Sequence, residues 1–217
     1  MRKLMLLPSV SGRERIRLYA ATIFFQWMLA ALVGWRALTR GISWRDLGIA
    51  NRSTPSVLLV TLIGATLIAV GHWANLRRMA ASNHPAIEHL RLMGARLFPR
   101  STAQTLFYIL LAVTAGCCEE FIFRGFVIAA LLRAGLSSWI VVLLSSAMFG
   151  VAHLYQGKGG SVGTGILGTL FAMTKIAYHS LLPVVVWHAV LDIVAGLAGA
   201  YYFSGDLAAA VNTPDNQ

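Results

Sequence analysis

The sequence predicts an all-α, polytopic integral membrane protein of about six transmembrane helices, with a polar cluster held inside the bilayer. The 217 residues are 57% hydrophobic and only 12% charged, with a mean hydropathy of +0.68. A soluble domain carries roughly 25% charged residues. Apolar runs long enough for the ~30 Å hydrocarbon core recur along the chain. Ionisable side chains that belong in loops stand inside three of those runs. The composition excludes a single soluble core, and it excludes disorder, because disordered chains are poor in apolar residues. Residues 1–217 therefore read as one integral membrane domain, with the polar residues concentrated in a core at about 102–200.

At the N-terminus only Leu4 to Leu7 precede Pro8 as an apolar stretch, too short for the h-region of a signal peptide. The runs near Leu18–Leu38 and Pro55–Ala74 predict the first two spans. In Asn75–Ser101, Ile87, Leu90, Met93 and Leu97 recur at roughly helical spacing among five arginines, which predicts a short interfacial helix. Thr102–Arg133 as one helix would extend ~48 Å at ~1.5 Å per residue. It must tilt, protrude or break, with Gly116 and Gly125 as the candidate breaks. Runs near Ser137–Leu154, Val162–Tyr178 and Leu181–Phe203 bring the count to six, or seven if the long region breaks.

The net charge is +10, from 18 basic and 8 acidic residues. The Arg and Lys sit almost entirely between apolar segments, as in loops beside an anionic membrane surface, so nucleic acid is not a predicted partner. With six spans, 11 of the 18 fall on the side of the N-terminus, 6 on the opposite side, and Arg124 within the membrane. The positive-inside rule then places both termini of a cell-membrane protein in the cytoplasm. Cys117 and Cys118 adjoin each other inside an apolar run, which is no disulfide framework and no structural zinc spacing. Gly157-Lys158-Gly159 lacks the rest of a phosphate-binding P-loop. The glycines from Gly159 to Gly168 have the small-xxx-small spacing of close helix packing.

Charges within a span are expensive and usually functional. Here they are Glu119, Glu120, Arg124 and Asp192, joined by His153 and His188. His72, His84, His89 and His179 fall at span ends or in a loop and read as surface histidines. Glu120 and Arg124 are i and i+4, so they share a helix face and can pair. His188 and Asp192 repeat that spacing, as do Phe149 and His153. An Asp one turn from a His can accept its ring N–H and fix its tautomer. Glu119 lies ~100° round the helix from Glu120, which leaves it to face a cavity. Taken singly, Glu120–Arg124 reads as a buried ion pair and His188–Asp192 as a polar contact between helices. Six ionisable groups in three spans, with none in the first two, are costly as packing alone. A carboxylate with two imidazoles can hold and deprotonate a water, and a His N–H can stabilise the oxyanion that follows. Ser145 and Ser146 lie about two turns before His153 with no nucleophile-elbow pattern around them. The cysteines adjoin carboxylates that weaken a thiol as a nucleophile.

Glu119-Glu120-Phe121-Ile122-Phe123-Arg124 matches the EExxxR motif of the CPBP family, the CAAX-protease and bacteriocin-processing membrane proteins also called Abi. Phe149-Gly150-Val151-Ala152-His153 resembles its FxxxH motif, and His188-Ala189-Val190-Leu191-Asp192 its HxxxN motif with Asp in place of Asn. The resemblance covers about Thr102 to Gly199, and Trp44–Ile49 is similar to a loop that many members carry. It implies a helical intramembrane endopeptidase with the motifs lining a cavity. By position, Glu119 becomes the water-activating base and His153 its assistant. His188 and Asp192 take the oxyanion side, while Glu120, Arg124 and Phe149 support the site. An ionised Asp192 cannot donate to an oxyanion, so it is either protonated or orients His188.

The substrate so implied is a membrane-associated peptide or protein tail, and the other partner is the lipid bilayer. No cofactor and no metal are predicted. Zinc held by a Glu and two His would make the protein a metalloprotease instead, though no HExxH is present. A non-catalytic membrane scaffold or bacteriocin self-immunity protein is a competing reading, and a proton-coupled transporter is another. Against the transporter, no inverted repeat is visible.

Overall fold

The structure, a computed structural model, describes residues 10–50, 54–82, 87, 91, 94 and 96–203. Its regular elements are α1 (Gly12–Thr39), α2 (Pro55–Ala80), α3 (Thr102–Glu120) with a π-helical continuation (Phe121–Val127), α4 (Ile128–Arg133), α5 (Ser138–Ala152), a 3-10 turn (Leu154–Gln156), α6 (Gly157–Tyr178) and α7 (Leu182–Phe203). No strand occurs among the described residues, so the all-α polytopic class holds.

Local chemistry sets the helix starts. Ser11 Oγ accepts the backbone N–H of Glu14, and Glu14 Oε2 accepts that of Ser11, a reciprocal capping box for α1. Thr54 Oγ1 caps α2 through the N–H of Val57, with Pro55 at the first helical position, where a missing N–H costs nothing. Large apolar side chains then face outward, Phe24, Leu62, Trp139 and Ile166 among them, as lipid-facing surfaces require.

All six apolar regions are helical, but they do not make six independent spans. Thr102–Arg133 stays one 32-residue helix, and together with α1, α2 and α7 it is long and apolar enough to cross a membrane. The 15-residue α5 is only ~22 Å long at ~1.5 Å per residue. The α6 sequence opens on Gly-Lys-Gly-Gly, which dilutes its hydropathy. These two count only as a pair, across a break where their axes differ by 55°, giving four to five candidate spans. The long region does not break at a glycine; it changes to π-helix around Gly125. Most of the predicted interfacial helix lies outside the described residues.

Two compact units result. The first takes residues 1–23, 66–112 and 190–217. Arg15, which the charge count placed among loop cations, is buried in it. Its Nε donates to the Arg96 carbonyl at 3.0 Å and its Nη1 to Gln104 Oε1 at 2.9 Å. Tyr19 donates to the Leu97 carbonyl and meets Tyr108 edge to face at 5.6 Å.

The second unit takes residues 24–65 and 113–189. Here α6 runs back along α5. Ser161 Oγ donates to the Gly150 carbonyl at 2.6 Å, and a Cβ built on Gly165 or Gly168 would meet the Ser146 backbone at 3.6 Å. Positions fall along α5 as they rise along α6, so the pair is an antiparallel hairpin packed through the small residues grouped there in the sequence. Trp187 Nε1 donates to the Thr61 carbonyl at 3.0 Å, and its ring occupies the place of a Gly64 side chain. Leu47, from the Trp44–Ile49 turns, is fully buried in a cluster with Ala37, Ile42 and Ala129.

Candidate active site

Glu119 and Glu120 close α3, and Arg124 lies within the π-helical segment that follows. Single π turns inside α-helices recur at functional sites. Ser145 Oγ, from α5, donates to the Phe123 carbonyl at 3.0 Å and ties this segment down.

Glu120 and Arg124 are completely buried and pair at 2.8 Å through Oε1 and Nη1, as their spacing predicts. The guanidinium carbon sits 3.9 Å from the Phe149 ring centroid and 5.6 Å from that of Phe171. A desolvated cation over an aromatic face gains up to ~2 kcal/mol. Space for the guanidinium comes from Gly168, where a Cβ would stand 2.8 Å from Nη2. Arg124 Nε and Nη2 and Glu120 Oε2 are buried and make no hydrogen bond among the described residues.

Each histidine is oriented through Nδ1. His153 sits at the C-terminal end of α5, at the break where the chain turns toward α6. Its Nδ1 lies 2.8 Å from the Phe149 carbonyl. A carbonyl can only accept, so that nitrogen carries the proton. His188 Nδ1 lies 2.7 Å from Glu120 Oε1, the same oxygen that accepts from Arg124. The carboxylate on Nδ1 is thus Glu120 from another helix, where i,i+4 spacing had pointed to Asp192. Phe149 packs against both rings, with centroids 4.4 Å from His153 and 6.0 Å from His188.

Both imidazoles therefore turn Nε2 toward Glu119. Its Oε2 stands 3.6 Å from His153 Nε2 and 4.0 Å from His188 Nε2, and its side chain is 23% exposed where Glu120 is at 0%. The other carboxylate oxygen, Oε1, accepts a 2.8 Å hydrogen bond from Gln26 Nε2 on α1. One oxygen is anchored and the other faces two ring nitrogens. Separations above ~3.5 Å between such groups suit a bridging water.

Six of the seven residues singled out from spacing thus converge within the second unit: Glu119, Glu120, Arg124, Phe149, His153 and His188. Asp192 belongs to the first unit, on the continuation of α7, where Tyr108 donates to its backbone carbonyl at 3.2 Å. Cys117 and Cys118 carry free thiols. Among the described residues no three His, Cys, Asp or Glu side chains are grouped as metal ligands. Two contributors lie outside the motifs. Gln26 carried a signal, a lone amide in an apolar run, whereas Phe171 carried none.

The family model of the Type II CAAX prenyl endopeptidase Rce1-like proteins matches residues 101–194. The match spans all three motifs and bears out, over that segment, the resemblance they carry. It leaves out α1, and with it Gln26. No curated protein and no solved structure matches the chain.

Proposed function

We propose that this chain, similar over residues 101–194 to type II CAAX prenyl endopeptidases, is an intramembrane endopeptidase that cleaves a membrane-associated peptide or protein tail with water activated by Glu119. The observation that supports it most is the asymmetry of the Glu119 carboxylate: Gln26 fixes Oε1, and two imidazole Nε2 atoms converge on Oε2. A water between Oε2 and His153 Nε2 gives up its proton to Glu119 as its oxygen attacks the scissile carbonyl carbon. The oxyanion of the tetrahedral intermediate takes a hydrogen bond from His188 Nε2–H. As the C–N bond breaks, the proton held by Glu119 passes to the leaving amine, and the carboxylate is regenerated. General-base help of this kind is worth ~10²–10⁴ in rate.

Charge balance supports the same roles. Glu119 and Glu120 bring two negative charges and Arg124 one positive. A second proton on His188 makes the group neutral and supplies the Nε2–H donor. Glu120 then stabilises the imidazolium through Nδ1 and holds Arg124 in place, a positioning role. Asp192 stands where the family motif has Asn, and with Glu120 on His188 Nδ1 it is given no part in this mechanism. The site works in the cell membrane with both termini cytoplasmic.

The test compares the peptide content of membranes holding wild-type protein and Glu119→Gln. The amide keeps the size of the side chain and the Gln26 contact region but cannot take a proton. Cleavage products are expected to vanish while the variant accumulates and melts like wild type. A variant that still cleaves a confirmed substrate at near wild-type rate places the base elsewhere. Products absent from both preparations favour the scaffold or immunity reading.

A further inference from the structure

Away from the Glu119 group, the second unit carries two adjoining recesses of about 710 and 410 Å³ that share Ile42 and Arg133. Arg45, Asp46, Lys175 and His179 line the larger, and Arg36 and Arg40 the smaller. Five Arg and Lys side chains therefore surround this double recess, against the single carboxylate of Asp46 among the described residues. That carboxyl stays ionised, held below its usual range by hydrogen bonds from the Ser43 side chain and backbone.

The basic side chains divide by what they already do. Arg133 Nη1 donates to the Gly41 carbonyl at 2.6 Å, and the buried Lys175 Nζ to the Asp46 carbonyl at 3.0 Å. Both thereby satisfy loop carbonyls. The guanidiniums of Arg36, Arg40 and Arg45 make no hydrogen bond or ion pair among the described residues. Guanidinium forks match phosphate oxygens two at a time, so an unspent set of three around a recess has the chemistry of a phosphate receptor. The recess lies at the ends of α1, α4 and α6, and the exposed Trp35 and Trp44 are the chain neighbours of its Arg36 and Arg45. Exposed tryptophans at helix ends mark the headgroup level of a bilayer. A ligand that joins a phosphate to acyl chains meets both features; a free phosphate meets only the first.

We infer that this recess binds the phosphodiester headgroup of an anionic phospholipid, at a site separate from the proposed catalytic group. Lipid titration of the purified full chain in detergent, read by native mass spectrometry, tests it with phosphatidylglycerol, phosphatidylcholine and inorganic phosphate as probes. Phosphatidylglycerol is expected to bind tightest. Each arginine near an anionic headgroup contributes roughly fivefold, so R36Q/R40Q/R45Q is expected to weaken binding about a hundredfold and R40Q alone about fivefold. R13Q/R17Q/K158Q removes as many exposed charges elsewhere and is expected to leave binding unchanged. Equal binding of phosphatidylcholine overturns the site, as does undiminished binding by R40Q or the triple variant. An equal loss in the control variant reduces it to general charge. Inorganic phosphate binding as tightly as the lipid moves the ligand to a soluble source.

Discussion

At the scale of single residues, the Glu119 carboxylate is decided by a neighbour that no motif contains. Gln26 sits well inside the predicted first span, amid phenylalanine, tryptophan and leucine. Charges stand out in such a run, because they cost most in a bilayer. An amide costs less and draws less notice, yet it donates a 2.8 Å hydrogen bond to Oε1. The motif residues were legible because their spacing of four matches the helical turn. The partner of His188 was not, because it comes from another helix. If Gln26 positions the base, Gln26→Leu should lower kcat about 10- to 100-fold, the equivalent of a hydrogen bond to a charged group, with KM nearly unchanged. Gln26→Asn, which keeps the amide on a shorter stem, should recover part of the rate. Loss of thermal stability with kcat intact would reduce Gln26 to a packing residue.

At the scale of elements, the apolar runs were legible and the way they are used was not. Seven residues are fewer than two turns of either helix, too few for a hydrophobic period to separate π from α, so nothing in FIFRGFV announced the change at Phe121–Val127. The hairpin of α5 and α6 was half legible, since the glycine run pointed to close packing without naming a partner. Gly168 now has one. It faces the Arg124 guanidinium, which is paired with Glu120 and lies against the Phe149 and Phe171 rings. In Gly168→Ala the new methyl would stand 2.8 Å from Nη2 and 3.3 Å from the Phe149 ring. Overpacking of this order costs about 1–3 kcal/mol. The melting temperature should fall and activity with it, because Arg124 and His188 share Glu120 Oε1. A Gly168→Ala protein that melts and cleaves like wild type would show the guanidinium free to move.

For the whole molecule, the number of passes matters less than their parity. Counting six apolar runs gave six crossings and hence both termini on one side. The structure keeps four helices that can cross alone and turns the other two into an antiparallel pair. An antiparallel pair returns the chain to the side it entered from, whether it reaches across the bilayer or folds back within it. Four crossings with the pair folded back, or six with each helix crossing, keep the proposed cytoplasmic termini on one side, whereas five, with the pair as one broken span, would separate them. The assignment of sides still rests on charge. Lys158 lies just past the hairpin's turn, and Arg36, Arg40, Arg45, Arg133 and Lys175 gather at the opposite helix ends. Reporters fused to either end measure this directly: a fluorescent protein should fold and shine at both termini, and alkaline phosphatase should be inactive at both. Phosphatase activity at one end alone would mean that α5 and α6 cross as a single broken span. Activity at both ends would invert the molecule and overrule the excess of 11 cations to 6 on which its orientation depends.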